Sequence, residues 1–145
     1  MTIKVGDQVP DIRLKHMTAN GPAEITAKDL FKGKTVALFA LPGAFTPTCS
    51  AKHVPGFLAQ HDALKAKGVD TIACLSVNDA FVMGAWGKDQ QVGDKILMLA
   101  DGSGDFTKAA GLDQDLTANG MALRSKPYAM SVKDGVVTHL AVEPA

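Results

Sequence analysis

The sequence predicts an α/β fold, a mixed central β-sheet flanked by helices on both faces. Two observations lead there. Short continuous apolar runs alternate with segments whose apolar residues recur at three- and four-residue spacing, so strand and helix signals follow one another along the chain. The alternation then ends in two strand-like runs joined at Asp134-Gly135, a hairpin signal that requires antiparallel pairing in an otherwise parallel arrangement.

The elements follow in order. Within the first thirty residues, the short apolar stretches around IRL and AEIT predict a small hairpin beside the core. TVALFAL at 35–41 has a β-branched start and is closed by Pro42-Gly43, which suits a strand buried on both faces. From Thr48 onward, Val54, Phe57, Leu58 and Leu64 recur at helical spacing up to Lys67-Gly68, with a kink expected at Pro55. VDTIACLSV at 69–77 gives a second buried strand. The segment NDAFVMGAWGKD then gives a short helix capped by Asn78 or Asp79, with Phe81, Val82 and Trp86 on one stripe. KILMLAD at 95–101 is a strand, GDFTKAAG at 104–111 a short helix, and YAMSVKDGVVTHLAV the closing hairpin. Together these elements make a thioredoxin-like arrangement.

Composition narrows the function. At 145 residues, without repeats or a Gly/Ser linker, the chain is expected to form a single domain over 1–145. Lys plus Arg number 15 and Asp plus Glu number 15, so no basic stripe points to nucleic acid or to a membrane surface, and partners are small molecules or proteins. No apolar run approaches the ~20 residues that span a bilayer, and MTIKVGDQVP lacks a basic-then-apolar leader, so a cytoplasmic location is expected. His16, His53, His61 and His139 are dispersed without metal-ligand spacing and no Gly-rich phosphate loop occurs, so neither a metal nor another cofactor is implied.

The two cysteines, Cys49 and Cys74, are too few for a disulfide framework. Cys49 ends the run Leu41-Pro42-Gly43-Ala44-Phe45-Thr46-Pro47-Thr48-Cys49, which leads from a buried strand through a tight loop into the first turn of a helix. Unpaired N–H groups at a helix start favour the thiolate and can lower a cysteine pKa from ~8.5 to between ~3.5 and ~7.5. A lone cysteine otherwise reads as a small buried hydrophobe, but this junction favours a nucleophile. Pro42 and Pro47 stiffen the loop, Gly43 permits close backbone approach, and Thr46 offers a hydroxyl that can donate to the thiolate and accept from a bound hydroperoxide. Arg124, just before the closing hairpin, either folds back toward this loop to stabilise negative charge or makes a surface ion pair. His53 is four residues beyond Cys49, so it either pairs with the cysteine or shapes the pocket rim. Phe45 and Phe81 read either as pocket walls or as core.

The run PGAFTPTCSAKHVPGF resembles the active-site segment of the type II peroxiredoxins, the atypical two-cysteine, peroxiredoxin-five-like group of the redoxin family. The resemblance continues through GVDTIACLSVNDAFVMGAW, LADGSGDFTKAAGL and RSKPYAMSVKDGVV, nearly the whole chain. It implies that Pro42, Thr46, Cys49 and Arg124 are the family's active-site proline, threonine, peroxidatic cysteine and arginine. It also implies a peroxidase that reduces hydrogen peroxide and small alkyl hydroperoxides through a sulfenic acid on Cys49. Cys74 resembles the second cysteine of plant-like members. Either it resolves the sulfenic acid or an external thiol does, from glutathione, glutaredoxin or thioredoxin. A homodimer is a further implication. A thiol–disulfide exchange protein that senses peroxide is the rival function. Two features depart from the family pattern: Pro127, where relatives carry a second basic residue before the aromatic, and HLAVEPA, where relatives continue into a C-terminal helix.

Overall fold

The computed structural model describes residues 2–47 and 52–143. Its centre is a seven-stranded sheet in the order β2-β1-β5-β4-β3-β8-β9. Three parallel strands, β3 (Thr35–Ala40), β4 (Thr71–Ser76) and β5 (Leu97–Ala100), form the middle, as their nearly unbroken apolar runs require of strands covered on both faces. An antiparallel hairpin lies on each side. The N-terminal pair β1 (Arg13–Thr18) and β2 (Gly21–Thr26) joins at β5, and the C-terminal pair β8 (Tyr128–Lys133) and β9 (Val136–Val142) joins at β3. Asp134 and Gly135 turn the latter with φ of 50° and 81°, the two left-handed positions that a tight hairpin turn needs.

Alternate residues of a strand point to opposite faces, so each central strand feeds two cores. Val36, Leu38 and Ala40 meet Leu30 and Phe31 of α1 (Ala27–Phe31) and Phe106 of α5 (Asp105–Ala110). Ala37, Phe39 and Leu41 face the other way, toward Val54 and Phe57 of α2 (Val54–Ala59), Leu64 of α3 (His61–Ala66), and Met83 and Trp86 of α4 (Ala80–Asp89). The crossovers β3→β4 and β4→β5 run in the same sense, which places α2, α3 and α4 on one face. The expected architecture of a mixed sheet between two helical layers is therefore present.

Several local expectations need correction. The single helix expected to kink at Pro55 is two short helices that break at Gln60, whose φ and ψ are −96° and 2°. Pro55 lies in the first turn of α2, directly after a π-helical turn at Lys52-His53, a departure from regular α-helix of the kind a proline's missing N–H produces. Asp79, rather than Asn78, caps α4 by accepting from the Val82 amide at 2.8 Å. Phe81 does not share a stripe with Trp86: it is 67% exposed while Trp86 is fully buried. Five residues along a helix turn the side chain by roughly 140°, which separates the two rings. The sequence reading also passes over α1 and a separate two-stranded sheet, β6 (Asp113–Leu116) with β7 (Ala122–Ser125).

Candidate active site

The loop that follows β3 leaves the sheet at the C-terminal ends of the parallel strands. Leu41 still donates its amide to the Leu75 carbonyl, and the chain then turns over Pro42-Gly43. The Gly43 carbonyl accepts the Thr46 hydroxyl at 2.7 Å and the Thr46 amide at 3.4 Å, which closes a tight turn. Phe45 within that turn has φ of 65°, a left-handed conformation that costs a non-glycine residue on the order of 1 kcal/mol. Its ring is half exposed and tilts toward Trp86, centroid to centroid 6.4 Å.

A second loop braces the first. The Asn78 side-chain oxygen accepts the Ala44 amide at 2.9 Å and the Ser76 hydroxyl at 2.7 Å, so the end of β4 fixes the loop after β3. Asn78 was expected only as a helix cap. Adjacent Asp79 takes that role, which leaves the Asn78 amide for the loop.

Arg124 reaches this loop from β7. Its Nη1 donates to the Pro42 carbonyl at 3.2 Å and its Nε to the Met121 carbonyl at 2.9 Å. The bidentate grip on two carbonyls aims a delocalised cation at the Pro42–Thr46 turn. A methyl placed on Gly43 would lie 2.8 Å from Arg124 Nη1, 3.3 Å from the Thr46 methyl and 3.5 Å from the Met121 methyl. Glycine is therefore needed here for close approach rather than for an unusual φ. Pro42, Gly43, Thr46 and Arg124, all singled out from sequence, are thus brought together. Met121, which carries no reactive group, was missed.

Cys49 lies outside the described residues, as do Thr48, Ser50 and Ala51. His53, beyond them, is largely buried, and its Nε2 stands 3.7 Å from the Glu143 carboxylate at the end of β9. Cys74 is fully buried on β4, opposite Phe39, on the face packed by α2 and α4. Phe39 stacks on Phe57 at 4.0 Å between centroids, joining β3 to α2 across that face. On the far side of the sheet, the Tyr128 hydroxyl is buried without a hydrogen-bond partner among the described residues. Its burial holds the phenol neutral and pushes its pKa above the ordinary tyrosine range, with the charges of Asp101 and Cys74 adding to the effect.

Residues 4–145 match the redoxin family. The chain belongs to it. Peroxiredoxin-2B of Arabidopsis thaliana is 47% identical over 142 residues, covering 97% of this chain and 88% of that one. The chloroplastic Peroxiredoxin-2E of the same plant is 47% identical over 146 residues, covering 98% of this chain. The chain spans only 62% of that relative's length. Reduced Prx3 of Vibrio vulnificus, solved in complex with H2O2, is 53% identical with a TM-score of 0.94, covering 99% of this chain and 89% of that one. With relatives this similar, the protein is a type II peroxiredoxin with the thioredoxin-like fold that its sequence predicts. One expectation falls: the cytoplasmic location. Peroxiredoxin-2E and its rice counterpart are chloroplastic, so membership of this group does not fix a cytoplasmic site. The reasoning failed because location is carried by addressing segments rather than by the folded domain.

Proposed function

We propose that this peroxiredoxin is a thiol-dependent peroxidase, built on a single domain, that reduces hydrogen peroxide and small alkyl hydroperoxides. The Cys49 thiolate attacks the terminal oxygen of ROOH along the O–O axis. The S–O bond forms as the O–O bond breaks, and RO⁻ takes a proton to leave as alcohol or water. Cys49 becomes a sulfenic acid. An external thiol from glutathione, glutaredoxin or thioredoxin then attacks that sulfur, expels water and forms a mixed disulfide, which a second thiol reduces.

The observation that carries this reading is the convergence of Arg124 and Thr46 on the Gly43 turn, with Thr46 three residues before Cys49 in the sequence. Arg124 offsets the negative charge that builds on the peroxide oxygens. The Thr46 proton is committed to the Gly43 carbonyl, so its lone pairs accept the hydroperoxide O–H and hold the substrate in line. Pro42 presents the carbonyl that anchors the guanidinium and Gly43 leaves room for it; we assign the pocket border to Phe45, half exposed in the same turn, and to His53.

Complete burial of Cys74 beneath the α2 face supports resolution by an external thiol. A disulfide needs Cα atoms within ~7 Å, and reaching Cys74 would require α2 to lift away from the stacked Phe39–Phe57 pair. Exposed Phe45 and Phe81 flank the same end of the fold and support a homodimer that covers them. Sedimentation equilibrium at the mass of one chain would overturn the dimer.

Intact-mass spectrometry with thiols trapped after one equivalent of peroxide tests the chemistry. The expected result is sulfenic acid or an external-thiol adduct in both wild type and Cys74→Ser, and neither in Cys49→Ser. A loss of about two daltons in wild type that disappears in Cys74→Ser would make Cys74 the resolver. Oxidation that does not depend on Cys49 would overturn the peroxidase itself. A protein that passes its oxidation to a partner instead would show the same first step, then a mixed disulfide that persists in the presence of glutathione.

A further inference from the structure

We propose that Met121 sets the preference among hydroperoxides by forming the apolar wall against which the organic group of ROOH lies. The inference rests on the peroxidase reading above. Three side-chain atoms gather around one point at Gly43: Arg124 Nη1 at 2.8 Å, the Thr46 methyl at 3.3 Å and the Met121 methyl at 3.5 Å. The cluster is mixed in chemistry, a guanidinium nitrogen beside two methyl groups. A hydroperoxide has the same mixture, with a polar O–O end and an apolar substituent. Once Arg124 and Thr46 take the oxygens, the substituent is left to the methyl groups.

The backbone holds Met121 for this task. Gly120 and Ala122, its two neighbours, have φ of 73° and 55°. Ala122 carries the cost of a left-handed alanine, a strain that persists only where surrounding structure enforces it. Both polar groups of Met121 are committed, its amide to the Leu116 carbonyl and its carbonyl to Arg124 Nε. The same residue thus anchors the guanidinium through its main chain and offers a thioether through its side chain. Met121 is only part-buried, so its side chain keeps a free surface beside the loop. A thioether with three rotatable bonds adapts to substituents of different shape, which suits a wall that meets several alkyl groups.

Hydrogen peroxide has no substituent, so contact with Met121 distinguishes organic peroxides from it. The measurement is the second-order rate constant of Cys49 oxidation by cumene hydroperoxide, tert-butyl hydroperoxide and H2O2 in wild type, Met121→Ala and Met121→Leu. The readout is the organic-to-H2O2 ratio within each preparation, from which any inactive fraction cancels. Truncation removes about two methylene equivalents of apolar contact, so Met121→Ala lowers the ratio about tenfold, and Met121→Leu restores it to within about threefold. A ratio that is unchanged or higher in Met121→Ala overturns the proposal, including the case in which all three constants fall together through a displaced Arg124. Wild type that oxidises Cys49 with none of the peroxides would instead overturn the peroxidase reading.

Discussion

Replacing Gly43 by alanine isolates the contribution of Arg124 with the addition of a single carbon. Gly43 is not among the left-handed glycines, so alanine is tolerated by its backbone. The new methyl would stand 2.8 Å from Arg124 Nη1, and that nitrogen must retreat by roughly half an ångström or more to reach ordinary contact. Its 3.2 Å bond to the Pro42 carbonyl does not survive the move. Stability changes little, because losing a part-exposed hydrogen bond is offset by the ~0.4–1 kcal/mol that alanine gains over glycine in the unfolded chain. The rate changes much more. A charge-assisted hydrogen bond missing from the transition state is worth about 1.5–3 kcal/mol, a ~10- to ~150-fold loss in the rate of Cys49 oxidation. Competition with a haem peroxidase for limiting H2O2 measures that rate, and thermal melting checks the fold. A rate within about threefold of wild type at an unchanged melting temperature would refute the argument. In an Arg124→Ala background Gly43→Ala should add almost nothing, since the two substitutions act through one interaction.

Two further residues, Asn78 beside the loop and Tyr128 on the far side of the sheet, give testable outcomes. Asn78→Ala deprives the Ala44 amide of its acceptor and should slow Cys49 oxidation about tenfold while costing about 1–2 kcal/mol. Asn78→Asp, which keeps the acceptor oxygen, should recover most of the rate, and an equal loss in both variants would mean that Asn78 does not position the loop. Tyr128→Phe removes a buried hydroxyl that has no partner among the described residues and should stabilise the protein by about 1 kcal/mol, a rise of about 3 °C in Tm. Because the folded pKa of Tyr128 is raised, its stabilising contribution is complete below the ordinary value of about 10. The contribution is lost above it, where the unfolded chain releases a proton that the folded protein retains. Wild type should lose about 1.4 kcal/mol of stability per pH unit there, and Tyr128→Phe should lack that slope. Tyr128 is the single tyrosine of the sequence, so phenolate absorbance rising near pH 10 in folded protein would refute this assignment.

The sequence was most legible where burial acts on both faces of an element. TVALFAL, VDTIACLSV and KILMLAD read as strands because short, nearly unbroken apolar runs fit strands buried on both faces, and Asp134-Gly135 marks its turn by conformational need. DQDL and ALRS, which form β6 and β7, escape the same reading. They pair with one another outside the main sheet, so neither apolar continuity nor alternation is imposed on them. Helix α1 has five residues, too few to show a period. Phe81 was misplaced because clustered apolar residues were assigned to one stripe without following their angle round the helix.

In the site, the loop residues were legible because proline, glycine and threonine carry their reasons locally. Arg124 could be placed only as one of two alternatives, since its approach to Pro42 depends on how β6 and β7 return across the fold. Asn78 and Met121 act through a side-chain oxygen on a remote amide and through a methyl on a remote glycine. No spacing in a single sequence records such meetings.

The Arg124–Pro42 bond joins residues 82 positions apart, and the Asn78–Ala44 bond joins residues 34 apart. During synthesis the cysteine segment leaves the ribosome long before β7, and closing so long a span comes late in folding. An unfinished chain therefore carries its thiol without the guanidinium beside the loop, and that thiol keeps the sluggish reactivity of an ordinary cysteine. On the proposed peroxidase chemistry, reactivity toward peroxide is expected only with the completed fold, and the nascent chain is expected to be spared the oxidant that the mature one meets.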